Sequence, residues 1–541
     1  MTHPASVPFL ALDSASFILP DGRTLLSDLT EAFDTRHTGL VGRNGVGKSV
    51  LGRLLAGELA PSDGRIQRSG PVRYLAQQIG SHCAGSVAGL AGVQDVLAAL
   101  ARIDAGSCDP CDFDCVGERW DLPSRLRHAL DQAGLAHLDP AAPAATLSGG
   151  EAMRVALLGA MLLDAEFLVL DEPTNHLDAP SRRALAEQLR AWQRGLVVVS
   201  HDRVLLDQME RIVELSPQGL RSYGGNYDFY AQARAAEQDS ATRALDHARH
   251  SLLREERALQ EQRERQQRRQ AQGAREGKTA NQARILLGRQ KERSEHTSGR
   301  LQRQQIAARE EGREQVRAAA LALREDGAVR LHANRVGADA QRRVVELEEV
   351  ELPYVLPALR RLDLVVGGCM RIGITGPNGS GKSTMLKVIA GELAPVAGRV
   401  ARDPACAWLD QRLNSLDPAR STIEQLLEVN RTTSQDRLRT YLAQVGLDAR
   451  KVLQPSGQLS GGERLKAALA CALYADPPAR LLLLDEPANH LDLASIEALE
   501  AMLVQYAGAL LVVSHDDVFL ERIELTHLLE ATPAGWRLRL L

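Results

Sequence analysis

Two glycine-rich segments, GRNGVGKS at Gly42 to Ser49 and GPNGSGKS at Gly376 to Ser383, hold the residue types that bind phosphate. In each, glycines let backbone N–H groups at the start of a helix surround phosphate oxygens. A lysine, Lys48 or Lys382, reaches the outer phosphates, and a serine, Ser49 or Ser383, offers magnesium a hydroxyl. The apolar runs Phe167 to Leu170 and Leu481 to Leu484 end in Asp171-Glu172 and Asp485-Glu486. A buried strand delivering two carboxylates suits one acid turned toward magnesium and its waters and a second that polarises an attacking water.

The rest of the kit also occurs twice and in the same order. LSGGE spans Leu147 to Glu151 and Leu459 to Glu463, DEPTNHLD at Asp171 to Asp178 returns as DEPANHLD at Asp485 to Asp492, and Ser-His-Asp stands at 200–202 and 514–516. A serine and two glycines opening a helix offer a hydroxyl and close backbone donors to a phosphate. Lysine usage supports the loops independently. Only seven of the 65 basic residues are lysine, yet one ends each glycine loop, where a compact point charge is required.

These elements must be carried by cores, and a chain of 541 residues with 44% hydrophobic content can build two or three domains. No run of 18 apolar residues exists, and the first residues lack a charged-then-apolar leader, so neither a membrane span nor export is predicted. The seven cysteines show no secretory spacing, which points to a reducing cytoplasm.

Glycine loop, LSGGE, DEP-x-NHLD and Ser-His-Asp together resemble the ATP-binding cassette superfamily, and NHLD in both halves of a membrane-free tandem chain resembles its ABC-F branch. The resemblance covers nearly the whole chain. It implies an α/β fold of two P-loop cassettes, each with a sheet core and a helical lobe carrying LSGGE, joined by a long α-helical hairpin. It further implies a monomer whose cassettes close head to tail on two ATP and two Mg2+, hydrolysing both ATP molecules. The first site then joins Gly42, Asn44, Gly45, Gly47, Lys48, Ser49, Gln77, Asp171, Glu172 and His201 with Ser460, Gly461 and Gly462. The second joins Gly376, Asn378, Gly379, Gly381, Lys382, Ser383, Thr384, Gln411, Asp485, Glu486 and His515 with Ser148, Gly149 and Gly150. Catalysis falls to Glu172, Glu486, His201 and His515, and magnesium to Ser49, Gln77, Asp171, Ser383, Gln411 and Asp485, directly or through water. Two positions break the symmetry: Val50 stands where the second half has Thr384, and Ala488 where the first has Thr174.

Offsets between the repeats locate an insertion. Gly42 to Gly376 and Gln77 to Gln411 are both 334 residues apart, but Ser148 to Ser460 only 312, so the first half carries 22 extra residues between Gln77 and Ser148. In the ABC-F branch an arm enters the first cassette here, and it is placed at about residues 88–121. It contains Cys108, Cys111 and Cys115 among three aspartates, and reads as an exposed acidic loop with incidental thiols, because a metal site needs a fourth ligand and a closed shell.

The predicted domains are 1–230, 231–330 and 331–541. The middle one has no proline and no aromatic residue, with 22 basic against 15 acidic side chains, a net +7 in a protein whose remainder is −11. Between 263 and 309 the bias sharpens to 13 basic and four acidic residues. Leu245, Leu252 and Leu259 at heptad spacing, with Ala241 and Ala248 between, predict a helical seam, and Gly273 and Gly277 predict a turn back near 273–279. Basic charge gathered around a turn argues for a polyanion contact, and the missing aromatics favour phosphate and shape recognition of folded RNA over base stacking.

The resemblance implies a linker reaching from the ribosomal E site toward the peptidyl-transferase centre and P-site tRNA, so the predicted partner is the ribosome, through rRNA and tRNA. The expected function is translation modulation by ATP binding and hydrolysis, with antibiotic protection among the forms it takes in the branch. A tandem transporter ATPase would need permease-docking surfaces and no basic hairpin. A DNA-repair ATPase would need large zinc-bearing insertions, and a DNA-processing ABC-F relative tends to carry a further coiled-coil tail, which is not expected after Asp516.

Overall fold

The computed structural model describes residues 8–76, 85–175, 177–279, 306–307, 309–320, 342–411 and 413–541. The chain forms two compact units, one made of 1–230 with 329–541, the other of 231–328.

The larger unit contains the same sheet pair twice. In the first cassette, β1 (Leu10–Ile18), β2 (Thr24–Phe33) and β4 (Asp63–Arg68) form an antiparallel sheet in the order β2-β1-β4. Its partner has six strands: β3 (His37–Gly42), β5 (Val72–Leu75), β6 (Phe167–Asp171), β7 (Gly195–Val199), β8 (Arg211–Ser216) and β9 (Gly219–Gly224), in the order β5-β6-β7-β3-β8-β9. All pairings are parallel except β8 with β9. Every residue of β6 and β7 is buried, as a strand covered on both faces requires, and this is why both are unbroken apolar runs.

The second cassette repeats the plan with β10 (Arg343–Glu351), β11 (Arg361–Gly367) and β13 (Ala397–Arg402) in the order β11-β10-β13. Its main sheet orders β12 (Arg371–Thr375), β14 (Cys406–Leu409), β15 (Leu481–Asp485), β16 (Ala509–Val513), β17 (His527–Thr532) and β18 (Gly535–Leu540) as β14-β15-β16-β12-β17-β18. Each phosphate-loop helix, Lys48–Ala56 and Lys382–Ala390, packs its apolar face between the two sheets of its cassette. The LSGGE helices, Gly149–Leu162 and Gly461–Leu473, begin with reciprocal caps. Ser148 and Ser460 each accept from the backbone of the glutamate three residues on, whose carboxylate accepts from the serine backbone in return.

The insertion differs from the exposed loop that its acidity predicts. It folds as helices Gln94–Asp104 and Pro110–Val116, the second capped by Asp109, which accepts from Cys111 N–H at 2.9 Å. Asp112 is only 5% exposed because Arg102 and Ser107 bind its two oxygens at 2.6 and 2.7 Å. Among the described residues no group of three potential ligands is placed to hold a metal.

In the smaller unit the helix that begins at Tyr227 runs unbroken to Thr279. The predicted turn at 273–279 is therefore absent. Glycine inside a helix costs only about 1 kcal/mol, too little to stop one supported on either side. Leu245 is buried, Leu252 fills the space beside Gly312 of the returning segment, and Arg309 meets Glu256 at 3.0 Å. The basic cluster at 284–293 lies outside the described residues. Among the described residues no helix is long and apolar enough to cross a membrane.

Candidate active site

Each phosphate loop leaves its strand through a sharp turn that only glycine makes readily. Gly47 and Gly381 sit at φ 107° and 95°, and a Cβ at either would press to 2.9 Å on Leu26 or 2.6 Å on Val355. The lysines that follow are 7% exposed, and each turns back onto its own loop. Lys48 Nζ donates to Gly42 and Arg43 carbonyls at 2.8 and 3.1 Å, Lys382 Nζ to Gly376 and Pro377 at 2.9 and 2.8 Å. Burial lowers both lysine pKa values, opposed by the neighbouring carboxylates.

The carboxylate pairs stand at the ends of β6 and β15. Glu172 and Glu486 hold left-handed backbone, φ 48° and 49°, fixed by N–H bonds to Val199 and Val513 carbonyls at 2.8 and 2.9 Å. In both halves a non-glycine residue is thus held in a sparsely populated backbone region at the end of the carboxylate strand. Burial, with Asp171 alongside, pushes Glu172 up to about 8 despite Lys48, and burial pushes Glu486 up to about 7. His201 Nε2 lies 3.3 Å from Glu172, and His515 Nε2 3.5 Å from Glu486. Burial drops these imidazoles to about 3 and about 4, which leaves both neutral at pH 7.

The cassettes meet at these loops. Asn44 N–H donates to Asp492 at 2.9 Å and its side-chain amide to the His490 carbonyl at 2.6 Å; reciprocally, Asn378 N–H donates to Asp178 at 3.3 Å. Asp178 and Asp492, which the sequence reading did not assign, each split their duties. One oxygen caps the helix that follows, through Ser181 or Ser495, and the other holds the opposite phosphate loop. A cavity of about 420 Å³ lies at the first loop, lined by Lys48, Ser49, Asp171, Glu172, His201 and, from the second cassette, His490.

Asn44, Lys48, Asp171, Glu172 and His201 are thus assembled, as are Asn378, Lys382, Ser383, Asp485, Glu486 and His515, where His515 also meets Asn378 at 3.2 Å. Gly45 and Gly379 are exposed loop tips, and Ser49 and Thr384 open their helices. Gln411 is exposed just beyond β14, and Gln77 lies outside the described residues. Ser148, Gly149, Ser460 and Gly461 are exposed at their helix starts, with Gly150 and Gly462 buried behind them. Among the described residues neither serine hydrogen-bonds the opposite loop. Lys466, one turn into the second LSGGE helix, does lie in the field of Arg43 in the first loop.

The donor set fits magnesium and a triphosphate. Buried Asp171 Oδ1 and Asp485 Oδ1 have no hydrogen-bond partner among the described residues, beside a lysine and a serine hydroxyl in each half.

The ATP-binding cassette family, described as ABC transporter, matches residues 31–175 and 359–489. The tylosin resistance ATP-binding protein TlrC of Streptomyces fradiae is 32% identical, with 94% of this chain and 95% of that protein covered. The chain belongs to the ATP-binding cassette family, in its ABC-F branch. This ABC-F protein is also 29% identical to the ribosome protection protein VmlR of Bacillus subtilis, covering 90% of this chain and 80% of that one. An archaeal ribosome recycling factor, aABCE1, solved with the stalk protein aP1, shares the fold at TM-score 0.57 and 19% identity over 97% of this chain and 89% of its own. Cassettes of this family bind ATP, generally with magnesium, and hydrolyse it.

Proposed function

We propose that this ABC-F protein is a cytoplasmic ATPase that acts on the ribosome as a monomer, using two composite ATP sites to set the position of its basic linker. The reciprocal seating of each phosphate loop on the other cassette's aspartate carries the composite reading. Each site has its own lysine, glutamate and histidine and depends on the opposite half for completion. Magnesium ATP, when bound, supplies the γ-phosphate and the electrophilic phosphorus. Lys48 and Lys382 would exchange loop carbonyls for phosphate oxygens, and Ser49 with Asp171, or Ser383 with Asp485, would hold the metal and its waters. Glu172 and Glu486 polarise the water held by His201 and His515, while Ser460 and Ser148 approach from across the interface. Nucleotide can hold the cassettes together only to the extent that it binds the closed arrangement better than the open one.

The linker supports the target. It is net +7 in an otherwise acidic chain, and a relative matched along most of its length is named a ribosome protection protein. Phosphate-rich RNA is the surface such a helical hairpin is charged to meet. Changing Arg284, Arg289, Lys291 and Arg293 to Glu tests this. Ribosome affinity should fall and its salt dependence flatten while ribosome-free ATPase activity stays put. Unchanged affinity would reduce the linker to a spacer.

A further inference from the structure

The two magnesium carboxylates are held differently, and the difference is built from two positions. In the first cassette the Tyr74 hydroxyl, carried on β5, donates to Asp171 Oδ2 at 2.8 Å. That leaves Oδ1, buried and without a hydrogen-bond partner among the described residues, beside the phosphate-loop cavity. The ring reaches Asp171 because Gly52 on the facing helix has no side chain: a Cβ there would stand 3.2 Å from the Tyr74 ring. In the second cassette, 334 residues on, Leu386 fills the place of Gly52 and Trp408 the place of Tyr74. Trp408 offers no hydroxyl, and its Nε1 is buried without a hydrogen-bond partner among the described residues. Asp485 Oδ1 is likewise buried without a hydrogen-bond partner among the described residues, but no tyrosine hydroxyl stands at this position to hold its carboxylate.

We propose that Tyr74 is a positioning residue that makes the first site the tighter magnesium site; the idea rests on the two-site reading above. A carboxylate pinned through one oxygen presents the other in a single orientation, so less rotamer freedom is lost when a cation arrives. The pair Gly52 and Tyr74 thus gives the first cassette a preorganised metal ligand that the pair Leu386 and Trp408 withholds from the second. Magnesium nucleotide loads first at the Gly42 loop.

Titration of Mn2+ with ATP, read by electron paramagnetic resonance on the full chain carrying Lys382→Ala to silence the second loop, measures this directly. Tyr74→Phe keeps the ring against Gly52 and removes only the hydroxyl. Mn2+ affinity should drop about tenfold, the scale of one hydrogen bond to a charged group, with metal-free ATP affinity unchanged. A purely structural Tyr74 would leave Mn2+ affinity unaltered, and that result overturns the proposal while the two-site reading stands. Failure of the Lys382→Ala chain to bind any ATP would instead bring down the two-site reading, and this inference with it.

Discussion

Replacing Glu500 with Leu should loosen one edge of the cassette interface selectively. Arg203, directly after Ser-His-Asp in the first cassette, is 3% exposed and grips Glu500 of the second with two bonds, 2.5 and 3.3 Å long. Arg522 reaches the same carboxylate at 3.3 Å. Removing one partner of a buried pair strands the other charge and costs about 3–5 kcal/mol. That cost exists only while the cassettes are together, since their separation returns Arg203 to water. The pairing equilibrium should therefore fall by roughly 10² to 4 × 10³. The pseudo-equivalent positions, Ala186 and Asp517, make no such pair and line a cavity of about 200 Å³ together with Arg182 and Arg183, so nothing on that edge compensates. Energy transfer between dyes on the two cassettes, followed against ATP concentration, reads the shift. Arg203→Met with Glu500→Leu leaves no stranded charge at either position and should recover most of the loss. Closure by Glu500→Leu at the wild-type ATP concentration would refute the reasoning, as would a double variant worse than the two single losses combined.

Two further outcomes follow from the interface. Asp492→Ala removes a helix cap, worth about 1 kcal/mol, and the acceptor for Asn44. ATPase activity should become less cooperative in ATP while melting shifts only slightly, and unchanged cooperativity would show that the contact is incidental. Ser460→Arg should block closure over the first site yet spare initial nucleotide contact at the Gly42 loop, as crosslinking at each loop would show. Loss of ATP at the Gly376 loop alone, with normal closure over the first, would mean that each cassette works by itself.

The loops, carboxylate strands and Ser-His-Asp segments were legible because phosphate and magnesium chemistry dictates residue types at short spacing. Buried parallel strands announce themselves as apolar runs, so β6 and β15 could be read directly. Contacts between distant residues could not. Tyr74 and Asp171 are 97 residues apart, and Arg203 and Glu500 297, with nothing local to mark either pair. Asp178 and Asp492 stand inside a recognised motif, but that one oxygen serves a cap and the other the opposite loop is a property of the paired cassettes. The insertion and linker misled for a different reason. Acidic charge suggested a solvated loop where Asp112 is paired and buried, and glycines suggested a turn where the helix absorbs their cost.

Hydrolysis by both sites on the ribosome is tested most directly by Glu172→Gln with Glu486→Gln. The amides keep the shape of both sites and leave Lys48, Lys382 and the metal ligands in place, but they cannot polarise water. Sedimentation of the double variant with 70S ribosomes and ATP, alongside phosphate release, tests binding and turnover together. ATP binding intact, hydrolysis nearly abolished and the protein retained on ribosomes is the predicted result. Turnover at the wild-type rate, or no ATP-dependent retention on ribosomes, would contradict it.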